Sequence, residues 1–239
     1  MSRVILVRHA QASFLEPNYD KLSALGETQA LVLGEYWAQR SMVFDQVCAG
    51  PRARQVDTAT IVGEAYRKAG LDFPEPVVIE EFDEFDGEAG LDKSLPQLLK
   101  SNQEIRELHE AFQASSDTRE RRKNFQRLFE AVIRRWVAGK ILVDDAESWL
   151  EFCARVNRGL SKFLTAGGRS EQAVIFCSGG PIAVAMQRAL SLSAGNTLRV
   201  AWMIRNCSYS EFVFSGDRFT LSVFNAFPHL DDESLLTYR

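Results

Sequence analysis

Short apolar runs alternate with longer amphipathic segments along most of this chain, and this alternation restricts the fold more than any other feature. Four runs are rich in β-branched or other apolar residues and are bounded by turn formers, as buried strands are. They occupy residues 4–7, 44–48, 77–79 and 173–177. Helical periodicity occupies about 27–39, 54–68, 146–165 and 181–192. Strands that alternate with helices in this way predict an α/β fold with a mainly parallel sheet.

The pattern changes in two places. Residues 209–214 and 219–224 have strand character and are joined by only four residues, a connection of hairpin length, so we predict that these two strands are antiparallel. Residues 86–145 hold two charged helical segments, about 103–113 and 118–138, and no strand candidate. We interpret 86–145 as a helical cap inserted in a single domain that spans 1–239. A solvated helical hairpin with only packing duties fits the pattern equally well.

The composition excludes several classes of protein. With 46% hydrophobic and 25% charged residues it is that of a soluble globular chain. Asp and Glu (32) outnumber Lys and Arg (28), which disfavours binding to nucleic acid or to an anionic membrane. No apolar run reaches the ~18 residues of a membrane span, and the N-terminus enters a strand pattern without a signal-peptide cleavage site, so we expect a cytosolic protein. The four cysteines are scattered, which predicts neither a disulfide framework nor a zinc site.

The first chemically informative segment ends the first predicted strand and has the sequence Leu-Val-Arg-His-Ala-Gln, residues 6–11. Parallel α/β sheets bind ligands at the carboxyl ends of their strands, so Arg8 and His9 lie where a substrate is expected. A guanidinium neutralises a phosphate with bidentate geometry, and a neutral imidazole nitrogen can attack phosphorus. Taken alone, the pair also fits two polar residues that end a strand.

A second segment, residues 48–59, follows the second predicted strand and begins a helix. The free amides and the positive dipole end of a helix N-terminus bind anions, and Arg52 or Arg54 adds a cation there. The chemistry alone does not select between the two arginines. A surface loop with two solvated arginines is the alternative.

The order and spacing of these segments resemble the histidine phosphatase (phosphoglycerate mutase-like) superfamily. Its N-terminal Arg-His-Gly/Ala is similar to residues 8–10, and its Leu-Thr-x-x-Gly-x-x-Gln-Ala is similar to residues 22–30. Its Arg-x-x-Gln-Thr-Ala is similar to residues 54–59, which selects Arg54. Its C-terminal Asn…His-Leu pattern resembles Asn206 and residues 225–230, which include His229. The resemblance covers nearly the whole chain except the helical insertion.

The resemblance implies a three-layer α/β/α fold whose six-stranded sheet is mixed and mostly parallel, with one antiparallel strand. It implies that His9 accepts a phosphoryl group, that Arg8 and Arg54 hold its oxygens, and that water then hydrolyses the phosphohistidine. The arginines supply the charge that Mg²⁺ supplies in other enzymes, so no metal or other cofactor is expected. Residues 78–83 resemble the segment with the family's proton donor, and their register indicates Glu81, whose pKa a nearby dianionic phosphate would raise.

The chain departs from the family at residue 178. Where the family has Ser/Thr-His-Gly-Gly, this chain has Cys177-Ser178-Gly179-Gly180. The Ser178 hydroxyl and the Gly179 amide can still donate to a phosphoryl oxygen. Exchanging a charge-assisted bond for a neutral one costs about 1–2 kcal/mol, or roughly 10-fold in rate. Ser178 is not expected to be a nucleophile, because Phe176 occupies the first glycine position of Gly-x-Ser-x-Gly.

Two other positions affect the expected phosphate site. His229 compensates for the missing histidine if the last strand runs parallel to the first, as the resemblance suggests; alternatively it caps the C-terminal segment. Leu15 stands where the family often has Asn. Asn18 is a substitute for that Asn, and Gln11 and Ser13 are further polar candidates.

The sequence therefore predicts a metal-independent phosphatase that hydrolyses a small phosphomonoester. A phosphoglycerate mutase-like phosphotransferase would return the phosphoryl group to another hydroxyl, and the missing second histidine counts against it. The non-enzymatic alternative, motivated by Ser178 and Leu15, is a phospho-ligand-binding protein with an impaired site. The sequence names neither the substrate nor the oligomeric state.

Overall fold

The central sheet consists of strands whose order along the chain differs from their order in space. The computed structural model describes residues 2–13, 20–141, 147–164, 171–216 and 218–238. The strands in this part of the chain are β1 (Ser2–Arg8), β2 (Gln46–Ala49), β3 (Val77–Val78), β4 (Gln172–Cys177), β5 (Tyr209–Ser215) and β6 (Arg218–Ala226). These six form one sheet in the order β3-β2-β4-β1-β5-β6.

Strand directions confirm the predicted sheet. The neighbours β3-β2, β2-β4 and β4-β1 are parallel, whereas β5 is antiparallel to both β1 and β6. The last strand, β6, therefore runs in the same direction as β1, and β5 is the one antiparallel strand. The β5–β6 connection contains Gly216 at φ +57°, a left-handed conformation that glycine adopts without a steric penalty. The α/β class and the hairpin predicted from the sequence are confirmed.

Helices account for most of the remaining described residues. They are α1 (Ala24–Gln39), α2 (Ala53–Lys68), α3 (Gly87–Ser101), α4 (Gln103–Ala114), α5 (Thr118–Val137), α6 (Trp149–Leu164), α7 (Gly179–Leu190) and α8 (Ala194–Met203). Side-chain caps start several of them; Ser23, for example, accepts from the Gly26 N–H at the start of α1. Among the helices described, none is long enough and apolar enough to cross a lipid bilayer.

The structure corrects two details of the sequence analysis. β3 was expected to be a buried strand, but its two valines are exposed, at 62% for Val77 and 48% for Val78. The reason is its place at the edge of the sheet, where it pairs with β2 alone. In addition, α3 and α8 lie where no helix was predicted.

Contacts divide the chain into two compact units. The first comprises Met1–Glu84 and Cys153–Arg239, and the second comprises Phe85–Phe152. The core of the first unit includes Trp37, which contacts Phe44 and Tyr209 with ring centroids 5.2 and 5.6 Å away.

The second unit contains α3, α4, α5 and the start of α6, with an aromatic cluster of its own. The ring of Trp136 stacks on Phe85 and meets Trp149 edge-on, with centroids 5.0 and 5.6 Å apart. The predicted insertion, 86–145, falls within this unit, and its role as a cap stays a prediction.

Candidate active site

The carboxyl ends of β1 and β4 lie side by side and carry two of the segments identified in the sequence. Arg8 pairs in register with Cys177, and the His9 backbone N–H donates to the Cys177 carbonyl over 2.8 Å. His9 and Ser178, which directly follow the paired residues, are therefore neighbours at one edge of the sheet. β2 is also parallel to β4 and ends at this edge. Such an edge is where parallel α/β sheets bind ligands.

Two hydrogen bonds determine which nitrogen of the His9 ring carries its proton. The Nδ1 atom lies 2.7 Å from the Ala10 carbonyl oxygen, and because a carbonyl can only accept, Nδ1 must be the donor. The Nε2 atom accepts from Nε of Arg54 over 3.1 Å. Both contacts favour the neutral tautomer whose lone pair is on Nε2.

The surroundings of His9 keep its imidazole neutral. The residue is 4% exposed, and burial lowers its pKa well below the ordinary value of 6.5. The positive charges of Arg54 and Arg8 lower this pKa further, against a smaller opposing contribution from the Ala10 carbonyl. A neutral, oriented imidazole is the form that can act as a nucleophile.

Arg54 lies in the first turn of α2 and is buried, with 6% of its surface exposed. Besides its bond to His9, it forms an ion pair from Nη1 to the Oδ1 atom of Asp20 over 2.6 Å. The other oxygen of Asp20 accepts from the Ala53 N–H over 2.8 Å. The start of α2 and the Arg54 guanidinium thus already hold one anion between them, as expected of a cationic helix N-terminus.

The other two arginines point to different partners. Arg52 pairs through Nε with Asp83, and its Nη2 lies 3.5 Å from the Glu84 carbonyl. Arg8 donates from Nη1 to the Ile204 carbonyl. Contact with the His9 ring therefore distinguishes Arg54 from Arg52, in agreement with the motif.

Ser178 is the N-cap residue of α7 and is 1% exposed. Its Oγ accepts from Nε2 of Gln55 over 2.8 Å. Gly179 begins α7, and the next amide, that of Gly180, donates to Oε2 of Glu84 over 3.0 Å. A neutral hydroxyl beside a helix N-terminus therefore occupies position 178, where the resemblance leads us to expect a histidine.

The acidic segment after β3 directs its carboxylates to different partners. Glu81 pairs with Nζ of Lys162 over 2.6 Å, and this hydrogen bond lowers its pKa, so the free protein favours the carboxylate. Glu84, three residues later, is the carboxylate that reaches α7. Within the described residues, no group of three or more His, Cys, Asp or Glu side chains is placed to hold a metal ion. The role of Glu81 stays a prediction, and Glu84 is a second candidate that the motif register did not indicate.

His229 is buried among core side chains. Its ring contacts those of Tyr36 and Tyr209, with centroids 5.9 and 6.2 Å away. Burial lowers its pKa to about 4, and a contact with the Cys207 backbone opposes this only in part. These contacts describe a packed neutral ring, and compensation for the missing histidine stays a prediction.

The remaining polar candidates serve the loop after His9. The Gln11 backbone N–H donates to Gln29, and its side chain accepts from the Ser23 hydroxyl. Ser13 donates to the Leu22 carbonyl. Leu15 and Asn18 lie outside the described residues. The described contacts give Gln11 and Ser13 a role in holding the loop, and a role in phosphate binding stays a prediction.

Three site residues escaped the sequence analysis: Asp20, Gln55 and Glu84. Asp20 is separated from Arg54 by 34 positions, and no spacing rule relates the two. Gln55 is part of the motif that selects Arg54, so its position was noted but its partner was not. The anion-binding character of a helix N-terminus was the available signal for Asp20, since it predicts that a nearby carboxylate will bind there.

Comparison with models of known protein families identifies the superfamily of the chain. A model of the histidine phosphatase superfamily (branch 1) matches residues 91–226, more than half of its length. The chain belongs to the histidine phosphatase superfamily. The matched residues include Ser178 and α7, whereas His9 and Arg54 precede them.

Solved structures share the fold of this histidine phosphatase superfamily member at low sequence identity. A phosphoserine phosphatase variant from Entamoeba histolytica, bound to phosphoserine, aligns with a TM-score of 0.64 at 15% identity, over 96% of this chain and 100% of its own. A candidate alpha-ribazole-5'-P phosphatase from Escherichia coli gives 0.63 at 18% identity, over 94% and 96%. A mycobacterial glucosyl-3-phosphoglycerate phosphatase gives 0.59 at 20% identity, over 95% and 99%. No curated protein sequence matches the chain significantly.

Proposed function

We propose that this protein is a metal-independent phosphatase that hydrolyses a small phosphomonoester through a phosphohistidine at His9. The observation that carries the proposal is the buried, neutral His9 ring, whose Nδ1 is held by the Ala10 carbonyl and whose Nε2 faces Arg54. Three solved structures with this fold are named for phosphatases of small phosphomonoesters: phosphoserine, alpha-ribazole-5'-P and glucosyl-3-phosphoglycerate. These names support the class of substrate.

In the first step, the Nε2 lone pair of His9 attacks phosphorus and the bond from phosphorus to the ester oxygen breaks. The hydrogen bond from Arg54 Nε now occupies that lone pair, so attack requires this donor to turn to a phosphoryl oxygen. The displaced alkoxide takes a proton from a carboxylic acid, either Glu81 or Glu84. Arg54 and Arg8 stabilise the charge on the transferred group.

In the second step, water attacks the phosphohistidine, the P–N bond breaks, and the Nε2 lone pair is restored as inorganic phosphate leaves. The carboxylate formed in the first step can accept the proton of the attacking water. The Ser178 hydroxyl and the amides at the start of α7 donate to phosphoryl oxygens through both steps. A neutral donor at 178 makes the site weaker than one with a second charged histidine.

Turnover of p-nitrophenyl phosphate in the presence of EDTA tests the proposal. The wild-type protein is expected to release p-nitrophenol. His9→Ala is expected to lower the rate of release by about 100-fold or more, because loss of a nucleophile removes the covalent pathway. His109→Ala is the matched control, because that histidine contacts Gln113 on its own helix, α4. Acid-labile, base-stable label from a radioactive phosphate ester should appear on wild type and not on His9→Ala.

Three other results contradict the proposal. Equal turnover by wild type and His9→Ala would show that His9 is not the nucleophile. Tight phosphate binding without turnover would favour a phospho-ligand-binding protein, the reading that Ser178 motivates. Transfer of the phosphoryl group to a second hydroxyl with little release of phosphate would favour a phosphotransferase.

A further inference from the structure

The Ser178 hydroxyl has a well-defined hydrogen-bond partner. Among the residues that the structure describes, its Oγ bonds to Nε2 of Gln55, 2.8 Å away. Both side chains are buried, with exposures of 1% for Ser178 and 0% for Gln55. Ser178 does not cap α7 with its side chain, so this contact sets the direction of the hydroxyl.

The orientation of the Gln55 amide follows from a backbone donor. The Arg52 N–H donates to Oε1 of Gln55 over 3.1 Å. If the amide were turned over, two N–H groups would face each other, so Oε1 must face Arg52 and the NH₂ group must face Ser178. Ser178 is therefore the acceptor in this pair, and its own hydroxyl hydrogen is not used by Gln55.

The hydroxyl lies next to the nucleophile. Residue 178 directly follows Cys177, and His9 directly follows Arg8, the parallel partner of Cys177. Neighbouring strands are about 4.8 Å apart, so a phosphoryl group on His9 would be within reach of a donor at 178. Gln55 directly follows Arg54, so one turn of α2 carries both the side chain that contacts His9 and the side chain that contacts Ser178.

We propose that Gln55 is a positioning residue that fixes Ser178 as a hydrogen-bond donor to the transferred phosphoryl group. The pair would replace the charged second histidine by an oriented neutral donor, one whose strength does not change with pH near neutrality. This inference rests on the proposed function and adds a role for Gln55 to it.

A double-mutant cycle tests the proposal with p-nitrophenyl phosphate as substrate. Gln55→Glu keeps the acceptor for the Arg52 N–H but presents a carboxylate oxygen to Ser178, which must then donate to it. Ser178→Ala is expected to lower kcat about 3- to 10-fold in the otherwise wild-type protein. In the Gln55→Glu background the same change should cost less than about 2-fold, because the hydroxyl hydrogen is already consumed.

A pH profile separates this role from a structural one. When the Glu introduced by Gln55→Glu is protonated, its O–H can again donate to Ser178, so the activity of this variant relative to wild type should rise as the pH falls from 7 to 5. Gln55→Met has no titratable group and should show no such recovery. It also leaves Ser178 without an orienting partner, so the cycle can be repeated with Gln55→Met if Gln55→Glu fails to fold.

The outcomes distinguish this inference from the proposed function. An equal cost of Ser178→Ala in the wild-type, Gln55→Glu and Gln55→Met backgrounds would overturn the role of Gln55 while leaving the phosphatase intact. Turnover that does not depend on His9 would overturn both. Thermal unfolding of each variant shows whether a loss of activity reflects a loss of folded protein.

Discussion

Arg54 donates from Nε to Nε2 of His9 over 3.1 Å, so a buried cation is bonded to the lone pair proposed as the nucleophile. Such a contact is compatible only with a neutral imidazole. The Arg54 side chain therefore both suppresses protonation of the ring and lies beside the atom to which a phosphoryl group would be attached. The pH at which activity falls on the acid side of the pH–activity profile should depend on Arg54.

Arg54→Met is expected to raise the pKa of His9 from its lowered value towards 6.5, because the charge of Arg54 is the largest contribution after burial. Since activity requires the neutral ring, the acid limb of kcat/KM should move to higher pH in this variant. Arg54→Lys is the control, because it retains the charge and should move the limb less. NMR titration of the His9 ring measures the pKa directly, and an unchanged value in Arg54→Met would contradict the prediction.

Asp20→Asn should strengthen the binding of inorganic phosphate. The Asp20 carboxylate bonds to Arg54 and to the Ala53 amide, the donors that an incoming anion would use, so phosphate must compete with it. Asp20 is partly exposed, which limits the effect, and we expect about 3- to 10-fold tighter phosphate binding by calorimetry.

Asp57→Asn is the matched control for Asp20→Asn. Asp57 is exposed on the same helix, and its substitution removes the same charge without touching Arg54. Partial burial raises the pKa of Asp57, and the charge of Asp20 raises it further, so Asp20→Asn should lower the pKa of Asp57. Equal gains in phosphate affinity from both variants would show that the contact with Arg54 is not the cause.

Much of the fold could be predicted because its signals are local. The apolar runs that form β1 and β4 are short and bounded by turn formers, and the Arg8-His9 pair stands directly at the end of one of them. Helix α8 was missed because its first turn contains Gly195 and Asn196, which have low helix propensity, and its start depends on the Ser193 cap.

The part of the site that the sequence analysis did not predict depends on contacts between distant segments. The Gln55 side chain meets a residue 123 positions away, and Asp20 meets one 34 positions away. Motif spacing identifies the elements that carry such residues but does not say which side chains meet. For the same reason the motif register did not point to Glu84, whose carboxylate accepts from the Gly180 N–H at the start of α7; the role of Glu81 stays a prediction.

The two carboxyl candidates for the proton donor should differ in their dependence on the leaving group. An alkyl alkoxide needs a proton as it departs, whereas p-nitrophenolate does not, so loss of the donor slows alkyl esters selectively. The Glu84 carboxylate accepts from the Gly180 N–H in the first turn of α7, whereas Glu81 is paired with Lys162. We therefore expect Glu84→Gln to lower kcat/KM for an alkyl phosphate by roughly 100-fold and that for p-nitrophenyl phosphate by far less.

Glu81→Gln, measured on the same two substrates, is the comparison for Glu84→Gln. It should change both rates by a similar and smaller factor. A selective loss on the alkyl ester in Glu81→Gln, with none in Glu84→Gln, would instead establish the donor that the motif indicates.

Thr237 should stabilise the loop that carries His9. Its hydroxyl accepts from Gln29 over 3.0 Å and donates to Asn206 over 3.1 Å. Asn206 in turn donates to the His9 carbonyl over 3.3 Å. Thr237→Val removes both hydroxyl bonds and should lower the free energy of unfolding by about 1–2 kcal/mol, measured with urea.

Thr60→Val is the control for Thr237→Val, because the Thr60 hydroxyl is exposed and donates to the Val56 carbonyl of its own helix, α2. It should change the free energy of unfolding by less than about 0.5 kcal/mol. If Thr237→Val changes stability no more than this control does, the C-terminal segment does not hold the loop.

His229 should make the protein less stable in mild acid. Its pKa is about 4 in the folded protein because the ring is buried, whereas an unfolded histidine titrates near 6.5. Between these values only the unfolded chain binds the proton, so the contribution of His229 to stability is full above about pH 6.5 and falls as the pH drops towards 4. At pH 4.5 the loss should be about 2.5 kcal/mol.

His229→Phe keeps a ring beside Tyr36 and Tyr209 but cannot titrate. Its free energy of unfolding should therefore fall about 2.5 kcal/mol less than that of wild type between pH 7 and 4.5. Equal falls in the two proteins would show that His229 is already protonated in the folded state at pH 4.5.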